Sequence, residues 1–299
     1  MLQVKSLVKS FGEIKAVNNI SFEVKNGRIF GLLGRNGAGK STIFRTILNI
    51  ISPDSGKILY NNKIIDDNIS NEIGYLPEEG SLILQYTVLE QCIYYGCLKQ
   101  MSQSRIKEEL LKWLQRFNIT QYMNTKLKDL SKGNRQKIQF IIAILHDPSL
   151  LILDEPFSGL DPISVEELKS VILEQKALNK MIVFSSHRMD HVEQICDDIL
   201  ILDKGNEIIS GDLHEIKKQY SKQNISIVGD FDIHKLKSVS GIEDISIIDK
   251  NEYVIKINDE KAINKILNVI KDDKVLKFSL LDISLNDIFI ERIGKGYEE

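Results

Sequence analysis

Cysteine is scarce: Cys92, Cys97 and Cys196 are the only three in 299 residues, and no two form a CxxC pair. That argues against a disulfide framework and for a reduced, intracellular protein. Long apolar runs are missing too. The longest, "FIIAIL" and "LLIL", fall far short of the roughly 18 residues a membrane helix needs, so the chain is not expected to cross a membrane by itself. The N-terminus, "MLQVKSLVKSFGEIKAVNNISFEV", lacks the unbroken apolar core of a secretion signal. Neither sign of charge dominates. With 39 basic and 42 acidic residues the net charge is −3, which gives no support to broad attraction to nucleic acid or acidic lipid. Internal repeats and low-complexity tracts are absent.

What is present is ordinary globular material, 42% hydrophobic and 27% charged, enough for a sizeable core in one large domain or two. "LQVKSLVKSF" and "ISFEVKNG" alternate as half-buried strands do, and "RIFGLLG" reads as a buried strand followed by a helix, "KSTIFRTILNI". "SPDSGKILYNNKII" reads as a turn and a short strand pair. Residues 87–144 are mostly helical in pattern, after which strands and helices alternate: "LLILDEP", "SVEELKSVILEQKALNK", "MIVFSS", "HVEQICDD" and "ILILDKGNEIISG". That alternation predicts α/β architecture, a mostly parallel sheet carrying a helical insertion. The polar stretch "KKQYSKQN" suggests a boundary, giving domains 1–220 and 221–299. Beyond it the elements follow the βαββαβ order of a ferredoxin-like α+β unit, closed by a last helix, "LNDIFIERI".

The stretch "GLLGRNGAGKST", residues 31–42, holds four glycines and then a lysine beside two hydroxyls. It fits G-x-x-x-x-G-K-[ST] at Gly34, Gly39, Lys40 and Ser41. Several inward-pointing backbone N–H groups suit a polyphosphate, and glycines let the backbone turn and the phosphate approach. The following helix adds free N–H groups and the positive end of its dipole. By this pattern Gly34, Arg35, Asn36, Gly37, Ala38, Gly39, Lys40, Ser41 and Thr42 form the phosphate cradle, Lys40 bridging the β and γ phosphates and Ser41 ligating Mg²⁺. The bland alternative is a glycine-rich turn, but a chain of this length meets the four fixed places by chance only roughly once in a hundred. "LLILDEP" puts Asp154 and Glu155 at the C-terminal edge of a central strand, where ligands of open α/β sheets bind. Asp154 suits Mg²⁺, and Glu155 suits orienting and deprotonating a water. "VFSSHRMD" ends another strand with His187 at the same edge.

Together these pieces resemble the nucleotide-binding subunit of ATP-binding-cassette (ABC) transporters over residues 1–220. The phosphate loop and "LLILDEP" look like Walker A and Walker B, "LSKGNRQK" is similar to the signature motif, "SGLDP" to the D-loop, and His187 falls at the switch histidine. The resemblance implies a P-loop NTPase core with an antiparallel β subdomain, ATP and Mg²⁺ as cofactors, and ATP hydrolysis. It places Phe11 against adenine and Asp161 with the nucleotide. It also implies head-to-tail pairing with a second copy or a paralogous ATPase subunit, in which Ser131 and Gly133 contact the γ-phosphate held by the other chain's Lys40. Separate transmembrane permease subunits would dock near Glu78 to Gln91, with Tyr86, Tyr94 and Tyr95 as contacts, placing the protein in the cytoplasm, peripheral on the inner face of the cell membrane.

Two motifs depart from the family. "GYLPEEG" has Glu78 where glutamine is usual, a third candidate Mg²⁺ ligand that adds negative charge. The signature has Lys132 and Asn134 where glycine and glutamine are common; Lys132 either adds charge at the nucleotide or faces solvent. The ending "SLNDIFIERIGKG" looks like that of cassettes serving bacterial multidrug, bacteriocin and sodium-extrusion exporters. The expected function is therefore the energising subunit of an exporter; the alternatives are a soluble ABC ATPase of cofactor assembly and a nucleotide-dependent regulator.

Overall fold

Alternating segments and unbroken apolar runs enter different sheets. The structure, a computed structural model, describes residues 1–65, 67–78, 82–220, 224–259, 261–281 and 284–293. It divides into two compact units, Met1–Asp212 and Leu213–Glu299.

In the first unit β1 (Leu2–Phe11), β2 (Ile14–Val24), β4 (Ser55–Tyr60) and β5 (Lys63–Ile64) form an antiparallel sheet in the order β2-β1-β4-β5. The buried runs go elsewhere. β3 (Ile29–Leu33), β7 (Leu150–Leu153) and β8 (Met181–Ser186) are buried at every position, as strands covered on both faces must be. With β6 (Ile73–Leu76), β9 (Asp198–Asp203) and β10 (Asn206–Asp212) they make a six-stranded sheet, order β10-β9-β3-β8-β7-β6. All neighbours in it are parallel except the β9–β10 pair. The final strand expected from "ILILDKGNEIISG" is this hairpin: Lys204 and Gly205 take φ of 46° and 79° between Asp203 and its partner Asn206, a tight reversal that apolar patterning alone does not reveal.

α1 (Lys40–Ile47) follows β3 and seats Ile43, Phe44 and Ile47 in a core shared by both sheets, where Phe22 and Phe30 stack with centroids 4.6 Å apart. The insertion comprises α2 (Val88–Leu98), α3 (Gln103–Arg116) and α4 (Lys132–Ile144). A reciprocal Thr87–Glu90 capping box starts α2. Ile106, Leu110 and Leu114, one apolar stripe, anchor α3. α5 (Pro162–Ala177) and α6 (Met189–Ile195) connect β7 to β8 and β8 to β9.

In the second unit α7 (Leu213–Gln219) precedes β11 (Asn224–Asp230), β12 (Ile242–Asp249), β13 (Glu252–Ile257), α8 (Lys261–Ile270), β14 (Lys274–Leu281) and α9 (Leu285–Ile293). Its antiparallel sheet has the order β12-β13-β11-β14, the ferredoxin-like arrangement. The first helix of that pattern is a short 3₁₀ turn, Ile233–Ser238, whose first residues are held by the Asp232 carboxylate accepting from His234 N–H. Ile225, Ile227, Ile255, Ile257 and Ile266 form the unit's own core. The division falls before α7, ahead of the expected boundary at 220; Tyr220, just after that helix, accepts from Arg292 Nε of α9 in the same unit. Residues 221–223 of "KKQYSKQN" and 294–296 of the "SLNDIFIERIGKG" ending lie outside the described residues. Among the described residues no helix is long and apolar enough to cross a membrane.

Candidate functional site

The C-terminal ends of β3, β6, β7 and β8 lie along one edge of the six-stranded sheet, and each delivers part of one site. β3 ends at Leu33, and the loop 34–39 turns into α1 through Gly34 and Gly39, at φ 153° and 108°. A β-carbon on Gly34 would stand 2.6 Å from Leu202 O, and one on Gly39 2.3 Å from Ala16 O, so neither place admits a side chain. The loop is clamped from behind by Gly205, whose N–H donates to Ala38 O at 3.1 Å and whose carbonyl accepts from Asn18 N–H at 2.8 Å. α1 starts with no side-chain cap and no acid in its first turn, which leaves its positive end uncompensated.

A cleft of about 340 Å³ opens there, lined by Ala16, Arg35, Asn36, Gly37, Ala38, Gly39, Lys40, Ser41, Thr42, Glu78 and Glu155. Lys40 in this cleft is buried and donates from Nζ to Gly34 O at 2.6 Å and Arg35 O at 3.3 Å. Burial pulls the Lys40 ammonium below the usual lysine value, while Glu155, Asp154 and Glu78 oppose that shift. Glu78, after β6, thus stands within electrostatic reach of the cleft lysine, where its extra charge bears on the site.

β7 delivers the two acids. Asp154 accepts from Ser41 Oγ at Oδ2, 3.2 Å, and from Ser185 Oγ at Oδ1, 2.5 Å. Glu155 is buried with φ 47°, in the left-handed region, and its N–H donates to Ser185 Oγ at 2.9 Å. Its Oε2 meets His187 Nδ1 at 3.0 Å and its Oε1 faces Lys40 Nζ at 3.8 Å. Oε1 is enclosed and accepts no hydrogen bond, its nearest charged neighbour being the Lys40 ammonium. His187 itself is 53% exposed at its side chain, open to whatever enters.

No group of three or more His, Cys, Asp or Glu poised for a metal occurs among the described residues. Mg²⁺ takes one or two carboxylates and completes its shell with phosphate oxygens and water. Ser41 and Asp154, already touching, form such a minimal oxygen set, with Glu78 at the same cleft.

The remaining predicted residues lie apart from the cleft lining. Phe11 ends β1, 52% exposed, with Lys9 Nζ 5.6 Å from its ring centroid; Ala16, on the next strand, does line the cleft. Ser131 caps α4 by accepting from Asn134 N–H at 3.2 Å. Gly133 faces the D-loop, with Leu160 and Asp161 atoms 3.7 and 3.9 Å from where its β-carbon would be. Asp161 caps α5, and bonds from Ser164 N–H and Oγ hold its carboxyl below the usual aspartate range. Lys132 is exposed, and its side chain lies across Gly159 of the D-loop in its own chain. Sequence reasoning passed over Ala16 and Ser185. A paired hydroxyl in an otherwise apolar strand, "VFSSH", was the available signal for the latter.

A second cleft, of about 640 Å³, lies between sheet and insertion, lined by Leu48, Ile69, Ile73, Tyr75, Pro77, Tyr95, Gly96, Lys99, Ile142, Leu145 and His146 among others. The adjoining Tyr86 and Tyr94 are exposed and meet edge to face at 6.5 Å, and Tyr94 meets Tyr95 at 5.3 Å. Glu79 to Ser81, part of the predicted docking stretch, lie outside the described residues.

Comparison with known proteins agrees with this geometry. The profile of a family described as ABC transporter matches residues 17–158, and that of the ATP-binding protein DrrA1-3-like C-terminal domain matches residues 211–293. The chain is 45% identical, over the full length of both, to the uncharacterized ABC transporter ATP-binding protein YhaQ of Bacillus subtilis. It is 34% identical to the Nod factor export ATP-binding protein I of Rhizobium meliloti, covering 80% of this chain and 72% of that one. A solved ATP-binding subunit of an ABC transporter superposes with a TM-score of 0.68 at 30% identity, covering 74% of this chain and 93% of its own.

Proposed function

This chain belongs to the ATP-binding subunits of ABC transporters, and on that premise we propose that it binds Mg-ATP in the 34–42 cleft and drives an exporter by hydrolysing it between two copies. The observation that carries the reading is the convergence of Lys40, Ser41, Asp154 and Glu155 on one cleft, with a buried Glu155 oxygen left without a donor.

Backbone amides of residues 35–41 and the α1 terminus hold the phosphates, with Lys40 on the β and γ groups. Ser41 and Asp154, with Glu78, would hold Mg²⁺, which would neutralise phosphate charge. Glu155 orients a water and takes its proton, and His187, already on the other Glu155 oxygen, fixes that carboxylate and meets the γ-phosphate. Phe11 stacks on the base. Ser131 and Gly133 of the second copy, with Asp161 beside them, complete the site, so turnover waits on pairing. The partner copy is either identical or a paralogous ATPase subunit.

The insertion cleft, with its apolar lining and neighbouring tyrosines, receives the cytoplasmic helices of separate permease subunits, and the protein accordingly sits peripherally on the inner face of the membrane. Export, rather than uptake, is supported by relatives named for Nod factor export. Nucleic acid has no place in this reading, given the net charge of −3.

Glu155→Gln tests the pairing. With Mg-ATP it should run as a dimer on size exclusion, and return to monomer when ATP is replaced by ADP. A monomer under both conditions would overturn the two-copy site.

A further inference from the structure

Ser185 is fully buried near the end of β8, in a strand whose preceding residues, Ile182, Val183 and Phe184, are apolar. A buried hydroxyl in such a strand must find partners. Those of Ser185 are the two acids: it donates to Asp154 Oδ1 at 2.5 Å and accepts from Glu155 N–H at 2.9 Å. The neighbouring hydroxyl does something different, since Ser186 Oγ accepts from Arg188 N–H at 3.0 Å and closes its own turn.

From this geometry we infer that Ser185 is a positioning residue that sets both acids through a single hydroxyl. This rests on the Mg-ATP reading above. At φ 47° Glu155 leaves the extended conformation, and its N–H turns out of the strand ladder. The Ser185 oxygen takes that N–H in place of a strand carbonyl and so holds the turn that sends Glu155 toward Lys40 and His187. The Ser185 proton, given to Oδ1, fixes the plane of the Asp154 carboxylate. The other oxygen, Oδ2, stays directed at Ser41, the side on which the two residues would share a metal ion. Loss of the hydroxyl frees Asp154 to rotate and leaves a buried amide without an acceptor. A residue behind a metal ligand commonly changes metal affinity 10- to 100-fold when removed.

Ser185→Thr and Ser185→Val differ only in the hydroxyl, and both suit a buried strand. Mn²⁺ binding in the presence of ADP, followed by electron paramagnetic resonance, is the direct readout, with steady-state ATP hydrolysis beside it. The Thr variant should bind Mn²⁺ close to wild type, whereas the Val variant should bind roughly 10- to 100-fold more weakly. At saturating metal the Val variant should also lose kcat with little change in nucleotide KM. Ser185→Ala, which adds no volume, should share the Val defect if Val disturbs folding. Mn²⁺ binding by the Val and Ala variants equal to wild type overturns the inference alone. Equal losses in Thr and Val, tracking a common fall in thermal midpoint, assign the residue to packing and overturn it as well. A wild-type protein that binds no Mn²⁺ with ADP overturns the proposed function, and this inference with it.

Discussion

Lys40 is the buried cation of the cleft, within electrostatic reach of Glu155, Asp154 and Glu78. Hydrogen bonds from a charged donor contribute about 1.5–3 kcal/mol each, so Lys40→Met should weaken Mg-ADP binding about 10- to 100-fold by calorimetry. Unchanged affinity would place the phosphates elsewhere. His146, at the insertion cleft, titrates unusually. Burial, helped by Lys99, pulls it from 6.5 to about 4, against the Ile73 carbonyl 3.1 Å away. As pH falls through 6.5 the unfolded chain therefore takes a proton that the folded chain refuses, and stability is lost down to about pH 4. His146→Gln should flatten that window while leaving neutral-pH behaviour alone. Denaturant midpoints at neutrality and midway through the window decide this, and parallel losses in both proteins would contradict it. At this scale the sequence showed the residues that meet phosphate, because their types and spacing are dictated by the ligand. It did not show Ser185, whose role depends on β7 and β8 lying side by side across 31 positions of chain.

The elements that build the site are held by local chemistry that can be removed piecewise. Thr87 caps α2 and accepts from Glu90 N–H at 3.2 Å while the Glu90 carboxylate accepts from Thr87 N–H at 2.8 Å. Thr87→Ala should lower unfolding stability by about 1 kcal/mol, seen as a reduced denaturant midpoint, with nucleotide affinity unchanged. A null effect would mean that packing alone starts the helix. Buried strands were legible as runs and amphipathic helices by their stripes, because each pattern states which faces are covered. Reversals were harder. The β9–β10 turn uses Lys204 in a left-handed conformation that a lysine does not advertise, so two strands read as one. The short 3₁₀ turn of the second unit read as a full helix, since six residues with apolar spacing look alike in either form.

For the whole molecule, the account requires that a chain without a spanning helix among its described residues act on a membrane through partners. The cleft at Tyr95, Ile142 and Leu145 is apolar enough to take a helix face. Ile142→Glu should abolish co-purification with a polytopic membrane protein while leaving Mg-ADP affinity as it is; retained co-purification would move the docking surface elsewhere. Pairing of copies was not readable from periodicity or composition: within one chain Ser131 caps α4 and Gly133 faces Leu160, Asp161 and Ser164, which is what a helix start packed on its neighbours looks like. Beneath pairing and docking lies the claim that a carboxylate at the end of β7 activates water against a triphosphate held by main-chain amides. Phosphate release from Mg-ATP, compared between wild type and Glu155→Gln, measures it directly. Removal of a general base costs about 10²- to 10⁴-fold, so the variant should fall by that factor while still binding ATP, and turnover at the wild-type rate would contradict the account.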